Sequence, residues 1–229
     1  MINLQLKKQL VYFLLILFSP ILWAEDLAKL LPVDEAERDL SLLEFRTKML
    51  QAIERKEPEV FVTMLDQKIW ASRKKRGMKN FIEMWQPDSI DSELWSELGT
   101  VLRMGGSFVR SERGVRFCSP YVYTTFPDSL DPFGHGAIIK ERAVMKSDAS
   151  SSSRTITSLS YDLVKVHDWR SKTDPMGERF GNWIKVSSLL SGNEGYVDKA
   201  NVRSPTDYTA CFLFTTKRGW KLESFMNNE

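Results

Sequence analysis

Histidine and cysteine are scarce in this chain, with two of each in 229 residues. No His-Glu-x-x-His stretch and no closely paired Cys occurs, so the sequence carries no zinc motif. Charge of one sign is not in excess either, with 32 Lys and Arg against 30 Asp and Glu. A chain so balanced has no global attraction for nucleic acid or anionic lipid. Internal repeats are absent, and the serine run Ser150–Ser153 is a loop, not a low-complexity tract. Aromatic residues are plentiful at 11%, enough core material to exclude disorder along most of the length.

The one concentrated apolar run stands at the start, MINLQLKKQLVYFLLILFSPILWAED. Lys7 and Lys8 form a positive n-region, Leu10 to Phe18 an apolar h-region, and Ala24 a small residue before Glu25. Residues 1–24 read as a secretory signal peptide. The apolar segment is short for a span, which needs roughly 20 residues, so membrane contact is expected only through an uncleaved leader. Cleavage removes two Lys and leaves 30 basic and 30 acidic residues. Export also permits a disulfide between Cys118 and Cys211, the alternative being two small buried apolar side chains.

Apolar spacing predicts helices across residues 26–104. Leu40, Leu43, Met49, Leu50 and Ile53 form one stripe. Val60, Phe61, Met64, Leu65, Ile69 and Trp70 form a second, entered through Pro58. Met78, Phe81, Ile82 and Trp85 form a third, and Leu94, Trp95, Leu98, Val101 and Leu102 a fourth. The basic run Ser72–Arg76 is expected at a helix end, where cations complement the dipole. Residues 107–126 then read as a hairpin about Ser111–Gly114, and residues 127–136 as a linker. The tail is a second hairpin, with Tyr208, Ala210, Phe212 and Phe214 on one strand and Trp220, Leu222 and Phe225 on the other. Alone such a hairpin is marginal. The expected fold is therefore α+β: a helical region, 25–134, completed by the 204–229 hairpin, with a small β-barrel over 137–203.

Within 137–203 the apolar alternation is clear. Val164 and Val166 face one side, with Lys165 and His167 on the other; Ile184 and Val186 lie opposite Trp183 and Lys185. Ala143 to Ser150, the Val164-Lys165-Val166 strand, Trp183–Val186 as W-x-x-V and Gly195-Tyr196-Val197 as G-W/Y-V follow one another in an order that resembles the bacterial SH3-like domain (SH3b). The whole chain is similar to uncharacterised exported proteins with that domain. The resemblance implies a barrel in the cell envelope, in the periplasm of a Gram-negative bacterium, with peptidoglycan peptides or an envelope protein as partner. Eukaryotic members grip proline-rich peptides with Pro and Tyr. Here that stretch reads Asp198-Lys199-Ala200-Asn201, which argues against recognition of a proline helix.

Catalytic readings find little. Phe117-Cys118-Ser119 and Gly134-His135-Gly136-Ala137-Ile138 superficially resemble the nucleophile and base motifs of papain-like wall amidases. The two are only 17 residues apart, too few for the strands that normally intervene. No catalytic residue, metal ligand or cofactor is assigned. The candidate site is aromatic: Tyr161, Trp169, Trp183 and Tyr196, which as exposed rings would stack on a sugar or peptide plane. The leading expectation is a periplasmic, non-enzymatic binding protein with no nucleic-acid partner. The second is a sensory or enzyme-accessory module with a pocket near Trp85, Trp95 and Phe108; a cell-wall hydrolase is third.

Overall fold

The computed structural model describes residues 28–169 and 181–227. The signal-peptide reading of 1–24 lies outside the described residues, as does most of the insertion between Val166 and Trp183. Among the described residues no helix is long and apolar enough to cross a membrane.

The chain forms α1 (Leu40–Glu54), α2 (Pro58–Thr63), β1 (Leu65–Trp70), α3 (Met78–Trp85), α4 (Leu94–Arg103), β2 (Ser107–Val109), β3 (Val115–Ser119) and α5 (Tyr121–Thr125). Seven strands follow: β4 (His135–Ile138), β5 (Ala143–Lys146), β6 (Thr155–Leu159), β7 (Leu163–Val166), β8 (Trp183–Ser188), β9 (Glu194–Asp198) and β10 (Val202–Arg203). The last two are β11 (Thr209–Thr215) and β12 (Gly219–Met226).

The expected arrangement of a helical region beside a small barrel is overturned. The protein is α+β, but the described residues are dominated by two sheets, and neither closes. One has the order β1-β12-β11-β3-β2, the other β10-β4-β7-β8-β9-β5-β6. In the second, β10 and β6 remain as separate edges, and β5 joins β9 through the single register pair Lys146 and Tyr196. The sheet buries one face without closure: Ile138, Met145, Leu159, Val164, Val186, Val197 and Val202 share one apolar cluster. Part of the expected linker is itself a strand, because His135 and Gly136 pair with Lys165 and Val164.

The second helical stripe is also corrected. The helix ends at Thr63, and Leu65–Trp70 runs parallel to β12. Leu65 and Ile69 lie four residues apart, a spacing that fits both a helix face and one face of a strand. Tertiary pairing decides between them, and Leu222 N donates to Met64 O at 3.0 Å where the pairing begins. The basic run consequently sits in a tight turn after β1, not at a helix end. Ala71 N donates to Lys75 O, and the Arg76 guanidinium stacks 4.6 Å above the Trp70 ring.

Helix α1 starts at Asp39, whose carboxylate accepts from Ser41 N and Leu42 N. Its buried face is Leu42, Met49 and Ile53, while Leu40 is turned to solvent. These side chains meet Phe61, Phe81, Trp95 and Leu98 from the other helices and Phe212, Trp220 and Phe225 from the tail hairpin. The tail's apolar residues break strict alternation after Leu222. A bulge accounts for this: Cys211 opposes Ser224 and Phe212 opposes Leu222, leaving Glu223 as the extra residue. Glu223 is buried and ion-paired with Arg113 and Arg116 of the neighbouring hairpin.

Cys118 and Cys211 are directly opposed on β3 and β11 and form a disulfide, with Cα atoms 4.1 Å apart. The bond spans 93 positions, a loop that contains the entire second sheet. A third apolar cluster packs α5 and the first described residues against the second sheet, with Leu30, Tyr121, Val122, Ala137 and Leu163 buried together. Burial pushes the Tyr121 hydroxyl up to about 12. Closing a loop of this length is worth about 4–5 kcal/mol in the chain-entropy model. Reduction is therefore expected to lower the urea midpoint of unfolding substantially relative to the oxidised protein. Equal midpoints for the two forms would contradict this role.

Candidate functional site

The outward face of the second sheet follows from strand alternation. On β8, Ile184, Val186 and Ser188 are buried, which turns Trp183, Lys185 and Ser187 outward. On β9, Gly195 and Val197 point in and Glu194, Tyr196 and Asp198 out. Register places Trp183 opposite Asp198, Lys185 opposite Tyr196, and Ser187 opposite Glu194. Trp183 and Tyr196 are thus diagonal neighbours on one face, within reach of each other's large rings. Both are half-buried.

Beside the two rings runs a ladder of polar contacts. Lys185 Nζ lies 2.5 Å from Glu194 Oε1. His167 Nε2 lies 2.8 Å from Ser187 Oγ and 3.4 Å from Glu194 Oε2. The hydrogen bond from Lys185 holds the Glu194 carboxyl below the usual carboxylate range, and the same contact holds the Lys185 ammonium above its ordinary value. Both groups therefore stay charged from mildly acidic to alkaline pH. A serine, a histidine and a glutamate in contact invite comparison with a charge relay. There, serine and acid use opposite ring nitrogens; here both lie at Nε2, and the glutamate is shared with a lysine. The set is a surface charge ladder without relay geometry.

The other two aromatic candidates lie elsewhere. Tyr161 is in the turn between β6 and β7 with a left-handed backbone, φ 58°. Its carbonyl accepts from Leu30 N at 2.7 Å, which ties the first described residues to the second sheet. Trp169 packs against the buried cluster of that sheet, and its Nε1 donates to Phe133 O at 2.8 Å. Gly136 makes room for it, since a Cβ there would stand 2.7 Å from Trp169 Cη2. The structure thus brings together two of the four candidates, Trp183 and Tyr196.

Sequence reasoning missed Ser187 and Glu194. The register that joins them to His167 is set by strand pairing, which alternation alone does not give. Cys118 and His135, weighed as a nucleophile and base, are not such a pair: Cys118 is in the disulfide, and His135 Nδ1 faces Asp131 O at 3.0 Å. Of the three aromatics expected around a pocket, Trp95 packs on Phe61 within the core, and the partly buried Phe108 packs on Phe117. Trp85 alone borders a cleft, with other neighbours. Among the described residues no group of three or more His, Cys, Asp or Glu side chains is placed to hold a metal ion.

Comparison with family models, curated proteins and solved structures finds no match to this chain.

The close packing of Trp169 on Gly136 gives a direct test. Gly136→Ala is expected to cost about 1–3 kcal/mol, because the added methyl displaces the indole or the strand. Chemical denaturation followed by tryptophan fluorescence measures it, and wild-type stability would show that the indole moves without cost.

Proposed function

We propose that this chain is an exported, non-enzymatic recognition protein that holds the peptide part of the bacterial cell wall against the Trp183–Tyr196 face. The observation that carries the reading is the face itself: two half-buried aromatic rings beside Lys185, Glu194 and His167 on adjacent strands. Rings held by a sheet offer apolar contact at low entropic cost, and aromatic anchors of this kind dominate binding energy in recognition surfaces. The Lys185–Glu194 pair keeps both charges already partnered, so a ligand docks without stripping an isolated ion of water. Charged and hydrogen-bonding groups of a peptide find Lys165, exposed on β7, and Asp198 at the border of the face.

Two further features support the reading. The segments that carry the resemblance to SH3-like sequences, Trp183–Val186 and Gly195–Val197, lie on neighbouring strands and supply both rings. Residues 1–24 have the charge and apolar pattern of an export signal.

Sedimentation of residues 25–229 with purified sacculi tests the proposal. The protein is expected to pellet with the sacculi, with no release of soluble muropeptides on incubation. The double variant Trp183→Ala/Tyr196→Ala is expected to lose at least about tenfold in affinity, the scale of two anchors at more than 1 kcal/mol each. Its far-UV circular dichroism should match that of the wild type. Undiminished pelleting by the double variant would reject the face; no pelleting of the wild type would reject the wall as ligand and point to a protein partner.

A further inference from the structure

The chain as a whole is close to charge balance, but its cations are not evenly spread. Residues 67–82 hold six basic side chains, Lys68, Arg73, Lys74, Lys75, Arg76 and Lys79, and no acidic one. The rest of the sequence carries 26 basic residues against 30 acidic. The structure gathers the six where β1 turns back toward α3. Ala71 N donates to Lys75 O at 3.0 Å and Gly77 N to Ile69 O at 2.7 Å, which returns Arg76 beside Trp70. Ser72 Oγ accepts from Lys74 N at 3.3 Å and from Lys75 N at 3.0 Å, which pins the turn. All six basic residues are exposed.

Two features distinguish this turn from an ordinary solvated surface. First, its charges are not compensated. Arg46, Arg103, Lys185 and Arg218 each reach a carboxylate at 2.9 Å or less. Among the described residues no carboxylate pairs with Lys68, Lys74, Lys75 or Arg76, and Glu83 approaches Lys79 only to 3.8 Å. Like charges gathered in this way repel one another, and a surface of opposite charge relieves the repulsion. Second, the cluster has an aromatic base. The Arg76 guanidinium lies 4.6 Å above the half-buried Trp70 ring, and Arg76 Nε donates to Lys68 O at 2.8 Å. The guanidinium is thus held in place before a partner arrives, and an indole favours the headgroup level of a bilayer.

We propose that the Lys68–Lys79 turn docks this protein on a membrane surface rich in anionic phospholipid. The contact is peripheral and electrostatic, and it stands independently of the wall-binding reading, since it uses the other sheet. Nucleic acid is the competing polyanion. Its phosphates stand at fixed spacing, and proteins meet them with cations spread along a groove or a helix. Here the cations are concentrated on one bend. Anionic lipids diffuse laterally and gather beneath such a bend, so each charge finds a headgroup.

The test is sedimentation of residues 25–229, which lack the apolar leader, with phospholipid vesicles. The protein is expected to pellet with phosphatidylcholine vesicles that contain about one-third phosphatidylglycerol, and not with phosphatidylcholine alone. Raising salt from about 0.05 M to about 0.5 M should release it, because screening shortens the reach of the charges. Lys74→Gln/Lys75→Gln is expected to weaken binding at least about tenfold, the scale of two charges near a lipid surface. Lys74→Arg/Lys75→Arg should bind as the wild type does. Lys140→Gln/Arg142→Gln, which removes the same charge from exposed positions between β4 and β5, should also bind normally. No pelleting with the anionic vesicles, or equal pelleting with neutral ones, overturns the proposal. So does an equal loss in the Lys140/Arg142 variant, which would assign the effect to net charge. Tighter binding to a DNA duplex than to anionic vesicles at the same salt overturns the choice of lipid.

Discussion

The pairing of β3 with β11, locked by the Cys118–Cys211 bond, is the constraint on which the rest of the molecule depends. β3 belongs to the part of the chain that precedes the second sheet and β11 to the part that follows it. Their ladder runs from Ala210 opposite Ser119 to Phe214 opposite Val115. On one side β11 receives β12, which in turn receives β1; on the other β3 receives β2. Removing the central pair would separate both flanks. It would also leave the tail hairpin without the sheet that carries Phe212, Trp220 and Phe225 to the helices. The disulfide thus closes the chain at the root of the seven-stranded sheet, whose position is then fixed by a small apolar contact through Leu30, Tyr121 and Leu163.

From this frame the recognition face and the cleft near Trp85 draw different kinds of rigidity. Trp183 and Tyr196 are set by sheet register, in which each inward Ile or Val dictates an outward neighbour. Trp169 packs beneath the same sheet against Gly136, so its ring belongs to the support and not to the face. The cleft near Trp85 is built otherwise. A helix end, a hydrogen-bonded loop and the Tyr208 ring just before β11 meet there, with Tyr208 edge-on to Trp85 and stacked on Phe225.

Local patterns in the sequence carried part of this account. The stripes for α1, α3 and α4 and both hairpins of the five-stranded sheet follow from apolar spacing, as does the outward placement of Trp183. Leu65 and Ile69 misled because a four-residue interval satisfies two periods at once. His135 and Gly136 were hidden among Pro, Gly and Asp residues, since strand formation there depends on pairing with β7 and not on propensity. An open sheet and a closed barrel share the same strand alternation, so closure could not be read from it. Tyr161 and Trp169 fall outside regular strands, where alternation gives no direction. The cleft was illegible for another reason: Tyr208 reaches it from more than 100 positions beyond Trp85, through the β11–β12 pairing.

Hydrogen exchange with and without purified sacculi tests the recognition face most directly, because it reports each strand of the folded protein. The account predicts added protection in Trp183–Ser188 and Glu194–Asp198 when sacculi are present, with exchange in β3, β11 and β12 unchanged. Protection confined to the five-stranded sheet, or no change in either sheet, would contradict it.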